Sequence, residues 1–483
     1  LLAILLVTPC LAEQNTPQPY NVLFIAIDDL RPELNCYGAE HIKSPNIDRL
    51  AESGVRFDHA YVQQAICMAS RASIMSGIRP EKRGIYAGES VKDTMPDILT
   101  MNKFFAKNGY EVSSTGKIYH YGSDTKAQFG ESDMQPERTW KGSGYVSEEA
   151  IEILKENPGK YGPAYEAADV ADDRYPDGAC TVLAVNKLAE LKESGKPFFM
   201  AFGLTKPHLP FVAPKKYWDM YPEDSISLTD LPNRPKGSFK QAIRSGGELT
   251  NYAQTPESYD EIDDDFARTL RRGYYACVSY ADAQVGKVLD QLDALGLRKN
   301  TIIVLWGDHG FKLGDYNSWG KWSNMDLDTR VPFIIAGPHA VKGAVCNEMV
   351  ECLDLYPTLA DLCGLEKPEH LEGKTLKPLL EKPDLQSEAT EYVYSIWPDQ
   401  RWTYDRTIMG YAVKSIRFNY VEWVKLKTGE VVGRELFDHS KDPKETRNVI
   451  ANPEYASVVT KLAKKCQVRK DSTDHGHAFK ELK

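Results

Sequence analysis

The sequence predicts an α/β fold built on a mainly parallel sheet covered on both faces, followed by a small antiparallel sheet. Three observations lead there. Tyr20 to Ile27 (YNVLFIAI) and Thr301 to Trp306 (TIIVLW) are nearly continuous apolar runs, the pattern of strands buried on both sides. Helical segments alternate with such runs through most of the chain. From about residue 390 the texture changes to short strands near turn signals.

Taken in order, the first strand ends abruptly in Asp28-Asp29. In SPNIDRLAESG, Ser44 is placed as N-cap, Pro45 as the first helical residue and Gly54 as the stop, with Ile47, Leu50 and Ala51 as the apolar face. Cys67 to Gly77 (CMASRASIMSG) reads as a loop feeding a short helix. Asp97 to Lys107 reads as an amphipathic helix closed by Asn108-Gly109. A strand at Tyr110 to Ser114 leads into Gly116-Lys117-Ile118-Tyr119-His120. Thr181 to Glu193 is helical, Pro197 to Gly203 is a strand, and a proline-punctuated loop, TKPHLPFVAP, follows. The polar, turn-rich stretch 223–262 predicts a surface excursion. Ala276 to Leu295 is a long helix, and the strand at Thr301 runs into Gly307-Asp308-His309-Gly310.

Tyr392 to Ile396, Ile408 to Lys414, Phe418 to Val424 and Arg434 to Phe437 are the strands of the small sheet, with a terminal helix near Tyr455 to Lys465. The proline-containing stretch 366–390 is the seam, so the chain divides into residues 20–385 and 390–483. In open α/β sheets ligands sit beyond the C-terminal strand ends, where Asp28, Asp29 and Asp308 fall.

Of 483 residues, 42% are hydrophobic and 27% charged, which is a globular composition and excludes a disordered or collagen-like chain. Lys and Arg number 59 against 69 Asp and Glu, a net charge of −10. That balance argues against a nucleic-acid partner, so any anion must be held by a local cluster of cations in a cleft. Leu1 to Val7 is apolar and is followed by the small-x-small step Cys10-Leu11-Ala12. Residues 1–12 therefore read as the remainder of a signal peptide, implying export to the periplasm or beyond. A lipidated Cys10 is the rival, disfavoured by Pro9. The run is too short to span a bilayer, and no later segment reaches the ~20 apolar residues of a membrane helix. No CxxC occurs among the nine cysteines, so their spacing fits no zinc pattern.

Carboxylates gathered at one end of a sheet repel unless neutralised, and a hard divalent cation suits such oxygens. Two unrelated helix N-caps are the plainer reading of the same residues. Cys67 enters a helix four residues before Arg71, a place that favours anions. It is either a buried structural cysteine or a thiolate nucleophile paired with His120 or His208. Lys117-x-x-His120 and Lys206-Pro207-His208 each put a cation near a potential acid or base. Solvated surface residues would look the same. Lys321, in WGKW, is an anion clamp or an ordinary amphipathic lysine.

Together and in order, NVLFIAIDDLRP, SPNIDRLAESGVRFDHAY, CMASRASIMSG, GKIYH, KPHLPF, GDHGFKLGD and ELFDHSKDPKETRN resemble the type I sulfatases. QQAICMASR, DHGFKLGDYNSWGKWSNMDLDTRVP and IMGYAVKSIRFNYVEW bring the likeness nearest to the iduronate-2-sulfatase branch. The resemblance implies an alkaline-phosphatase-like large domain and a small C-terminal sheet domain. It implies that a maturation enzyme oxidises the cysteine of C-x-P/A-x-R, here Cys67 to Arg71 with Ala69, to Cα-formylglycine. It assigns a calcium ion to Asp28, Asp29, Asp308 and His309, with the hydrated aldehyde at Cys67 completing the site. That hydrate would attack the sulfur of a sulfate ester. Arg71, Lys117 and Lys321 would steady the charge, with His208 protonating the leaving oxygen (Lys321 as alternate) and His120 taking a proton from the second hydroxyl.

The implied substrates are sulfated oligosaccharides or polysaccharides carrying uronate 2-sulfate, from glycosaminoglycan or from an algal polysaccharide such as ulvan. A phosphate or phosphonate monoester hydrolase and a catalytically dead glycan-binding protein share the scaffold. Three positions depart from the iduronate branch: Asp315-Tyr316 stands where Glu-His is found, and Lys414 where Arg is common. Lys414 would pair with a uronate carboxylate or be a solvated strand lysine; Arg31 would face the pocket or cap a turn.

Overall fold

The computed structural model describes residues 19–244, 246–386, 390–399 and 407–471. Its main sheet contains Asn21–Ile27 (β1), Gly54–Tyr61 (β2), Glu111–Gly116 (β3), Asp133–Met134 (β4), Phe198–Leu204 (β5), Thr301–Gly307 (β6), Phe333–Ala336 (β7) and Ala344–Glu351 (β8). The order across the sheet is β8-β2-β7-β6-β1-β5-β3-β4. Only β7 runs against its neighbours; the other pairings are parallel.

The continuous apolar run of β1 has a simple cause. Val22, Phe24 and Ala26 pack into a core shared with helices Cys67–Ser76 (α2), Met101–Lys107 (α3) and Leu355–Leu362 (α6). Leu23, Ile25 and Ile27 point the other way, toward Pro45–Glu52 (α1), Pro176–Ser194 (α4) and Asp264–Ala294 (α5). Each large apolar side chain buried this way contributes about 1.5–3 kcal/mol, so two-sided burial fixes the central strands firmly.

Register then sets the site. Ile27 lies opposite Gly307 on one side and Leu204 on the other, and Gly203 lies opposite Gly116. The chains leaving β6, β1, β5 and β3 therefore emerge together. Asp308 N donates to Ile27 O at 3.1 Å, Asp28 N to Leu204 O at 3.1 Å, and Lys117 N to Gly203 O at 3.2 Å. Gly203 permits the last approach, because a Cβ there would sit 2.2 Å from Lys117 O.

The second sheet has the expected place and direction. Val393–Pro398 (β9), Ile408–Lys414 (β10), Phe418–Lys425 (β11) and Val431–Asp438 (β12) pair antiparallel in chain order. Ala456–Asp471 (α7) packs on it through Leu462 and Cys466. Asn324 ties this sheet to the main one: its Nδ2 donates to Gly410 O, its Oδ1 accepts from Ser395 Oγ, and its carbonyl accepts from Asn419 Nδ2.

Several expectations need correction. β2, β7 and β8 were not foreseen as strands; β2 is only half-buried along part of its length, and β7 is four residues long. α3 starts at Met101, because 97–100 turn before the helix. α5 starts at Asp264, capped by the Asp263 side chain on Phe266 N, where charged, exposed first turns hide the apolar period. Residues 223–262 are not a mere surface excursion, since Ala242, Ile243, Leu249, Tyr252 and Tyr259 are buried. The proposed signal segment, residues 1–12, lies outside the described residues. Among the described residues no helix is long and apolar enough to cross a membrane.

Gly203→Ala forces its new methyl into the Lys117 backbone. Urea denaturation is expected to show a loss of about 1–3 kcal/mol, the usual cost of overpacking.

Candidate active site

Asp28 and Asp29 leave the end of β1. Asp29 holds a left-handed backbone (φ 59°), a conformation Asp tolerates better than most residues, at the point where the chain turns away from the strand. Asp308 and His309 leave β6 alongside. Cys67 is the first residue of α2, and Arg71, one turn later, is fully buried beneath it. Ligand-capable atoms of Asp28, Asp29, Cys67 and His309 all lie within 4.8 Å of one another. Cys67 Sγ is 3.1 Å from His309 Nε2.

Asp308 stands at the margin of that group. One oxygen accepts from Arg71 Nε at 2.7 Å and the other from Asp29 N at 3.0 Å. Arg71 also donates from Nη1 to Lys117 O and, at 3.1 Å, to Ile118 O. Lys117 Nζ donates to Asp28 Oδ2. Lys321 Nζ donates to both oxygens of Asp29, at 2.8 and 3.0 Å.

These charges set the titration of the site. Burial opposes ionisation of Asp28, but Lys117, His208 and Arg71 outweigh it and hold the carboxyl well below the usual range. Burial pushes Asp29 up to about 6, with Asp28 and Glu248 adding to the rise and Lys321 opposing it. Burial, reinforced by Asp28, raises the Cys67 thiol. A thiolate is thus disfavoured, and the nearest imidazole is His309 rather than His120 or His208. A simple cysteine nucleophile does not fit this setting.

The residues do fit a divalent cation. Among the described residues Asp28 Oδ1 is buried without a hydrogen-bond partner, and so is Arg71 Nη2, 3.5 Å away. Clustered carboxylate oxygens with one imidazole form a donor set for a hard or borderline divalent ion.

His208 Nδ1 lies 2.6 Å from Leu209 O, and its Nε2 lies 3.1 Å from Glu248 Oε1. The ring is thus held from both nitrogens, by a backbone carbonyl on one side and the Glu248 carboxylate on the other. His120 is held neutral: burial, with Lys117 nearby, pushes it down to about 3. Its Nδ1 is buried without a partner among the described residues. Lys206, by contrast, donates to the carbonyls of His208 and Pro210 and so shapes the loop rather than the site.

Sequence reading missed Glu248. Its carboxylate lies 3.3 Å from Lys321 Nζ and 3.1 Å from His208 Nε2, linking the two side chains. The available signal was Gly246-Gly247. A Cβ on Gly247 would come 2.0 Å from the Trp322 ring, so only glycine lets this segment close on the site. Three other residues singled out in the sequence are engaged within the protein. Lys414 is neither solvated nor free: it is buried, donates to Thr329 Oγ1 at 2.7 Å and lies 3.7 Å from Asp326. Arg31 pairs with Glu33 at 2.6 Å and Asp315 at 2.8 Å. Tyr316 is buried, its hydroxyl donating to Lys444 O.

Comparison with known proteins places this geometry. The sequence profile of the sulfatase family matches residues 20–365, and that of the N-sulphoglucosamine sulphohydrolase C-terminal region matches 314–472. Iduronate 2-sulfatase of Mus musculus is 31% identical, covering 95% of this chain and 97% of its own. Among solved structures, one in complex with its substrate D-glucosamine-2-N,6-O-disulfate superposes with a TM-score of 0.75 at 21% identity, covering 96% of this chain and 100% of that one. A phosphonate monoester hydrolase from Silicibacter pomeroyi gives 0.74 at 22% identity, covering 94% and 96%. At these identities the two structures establish the shared fold.

Divalent-cation binding should therefore be visible as stability. Differential scanning fluorimetry is expected to show a higher Tm with added Ca²⁺ than after chelation, since a ligand at 100 times its Kd adds about 2.7 kcal/mol.

Proposed function

The chain belongs to the sulfatase family, and we propose that within it this enzyme removes the 2-sulfate of a uronic acid, iduronate above all, from fragments of sulfated polysaccharide. The observation that carries the reading is the buried group of Asp28, Asp29, Cys67 and His309, ringed by Arg71, Lys117 and Lys321, in a chain that resembles iduronate 2-sulfatases along almost its whole length. The protein is a sulfuric ester hydrolase; the sugar and the sulfate position are the proposal.

In this reading Asp28, Asp29, Asp308 and His309 hold calcium, and a maturation enzyme converts Cys67 to formylglycine, which together supply an oxygen nucleophile and a strong local positive charge. The remaining work belongs to the chain's own side chains. Arg71, Lys117 and Lys321 present fixed positive charge to the sulfuryl oxygens, and being buried they need little reorganisation as charge develops. His208 holds a proton at Nε2 for the leaving sugar oxygen. His120, neutral and with a free Nδ1, is placed to accept a proton at that atom. Glu248 steadies Lys321 and His208 from the opposite side. The apolar run and small-x-small step near the start support export, which suits an enzyme acting on polysaccharide outside the cytoplasm.

A panel of defined sulfated oligosaccharides tests the reading. Sulfate release is expected from a non-reducing 2-sulfated uronide, with the resulting desulfated sugar identified by mass spectrometry. Release only from ulvan-derived fragments would move the substrate to algal polysaccharide. Faster turnover of aryl phosphate than of aryl sulfate would overturn it.

A further inference from the structure

A uronate 2-sulfate carries a second anion besides the ester it loses, and the cations expected to meet that anion are already engaged. Arg31 is neutralised by Glu33 and Asp315, and Lys414 by Asp326. Lys117 and Lys321 are held by the aspartates of the cluster. Arg244 is different. Among the described residues it has no carboxylate partner, although it is half-buried. Its guanidinium lies over the Trp322 ring, with Cζ 5.7 Å from the centroid. Lys321 Nζ lies 5.9 Å from the same centroid. One indole thus links the cation assigned to the ester with a cation that lacks a counter-charge.

The local backbone supports this placement. The Arg244 carbonyl accepts from Ser318 Oγ at 3.3 Å, which fastens it to the chain just before Lys321. Gly247 presses on the Trp322 ring, and Glu248 reaches Lys321 and His208. Residues on both sides of the segment are therefore bound to the rim of the site. Burial lowers the Arg244 pKa, with Tyr259 opposing the fall. A guanidinium held near an indole by cation–π attraction still has N–H groups with which to meet an anion that offers two oxygens in line.

Resting on the function proposed above, we infer that Arg244, set over the Trp322 ring, is a substrate-recognition residue that binds a second anionic group of the sugar while Lys321 engages the sulfate ester. The group is a carboxylate of the same uronate or a further sulfate on the neighbouring residue; both offer paired oxygens to the fork. The role is one of binding and specificity, with no bond made or broken at Arg244.

The test compares wild type with Arg244→Gln and Arg244→Lys on three disaccharides: a 2-sulfated uronide with its carboxylate, the same sugar with the carboxyl reduced to an alcohol, and the carboxylate form with an added 6-sulfate on the neighbouring glucosamine. For Arg244→Gln, kcat/KM is expected to fall about 10- to 100-fold more on the carboxylate sugar than on the reduced one, with the difference carried mainly by KM. Arg244→Lys, which keeps the charge but not the fork, should lose less. An excess loss that appears only with the added 6-sulfate assigns the site to that sulfate. Equal losses on all three sugars, in variants whose melting temperatures match wild type, overturn the inference and leave Arg244 as packing for Trp322. Wild-type sulfate release from the first sugar separately tests the function, so the two failures are distinguishable.

Discussion

Crowding of negative charge at the ends of β1 and β6 is the constraint from which the rest of the site follows. Asp28, Asp29 and Asp308 are all buried completely, and Glu248 approaches from the rim. Two carboxylates about 4 Å apart repel by roughly 4 kcal/mol even at an effective dielectric constant of 20. The protein answers with Arg71 against Asp308, Lys117 against Asp28 and Lys321 against Asp29 and Glu248. Each cation arrives on a different element, so the main sheet must close, and α2 must dock, before the charges balance. That balance still leaves Asp28 Oδ1 and Arg71 Nη2, an ion pair at 3.5 Å, without hydrogen-bond partners among the described residues, which is what a site built for another charged species would show.

The central strands and the acids at their ends were legible because two-sided burial leaves an unbroken apolar run, and a strand end in such a sheet can carry carboxylates only for a reason. Cys67 was legible at the entrance of a helix, with Arg71 four positions further on. What could not be read was pairing. Nothing in the sequence says that Asp308 spends one oxygen on Arg71 and the other on the Asp29 amide, or that Asp326 neutralises Lys414. β7 escaped notice because four residues are too few to display a period, and the first turns of α5 because their charges face water.

The stretch 223–262 shows the most instructive difference between sequence and structure. Its polar, turn-rich composition reads as solvent-facing, yet it buries Ile243 and Leu249 while sending Glu248 to Lys321 and His208. Side chains that meet a charged ligand are themselves polar, so the composition of a recognition loop and that of an ordinary surface loop coincide. The second sheet contributes in a similar indirect way: through Asn324 it fixes the chain immediately after Lys321 and Trp322. The strand ends of the main sheet thus carry the acidic cluster, and later segments bring Lys321 and Glu248 up to it.

The central claim is that a divalent cation completes the charge balance among Asp28, Asp29, Asp308 and His309. Crystallography of protein grown with calcium, with anomalous data collected at a long wavelength, tests it most directly. A single anomalous peak is expected within bonding distance of these residues, adjoining residue 67. A cluster that holds only water, with its carboxylates paired through protons while calcium is abundant, would contradict it.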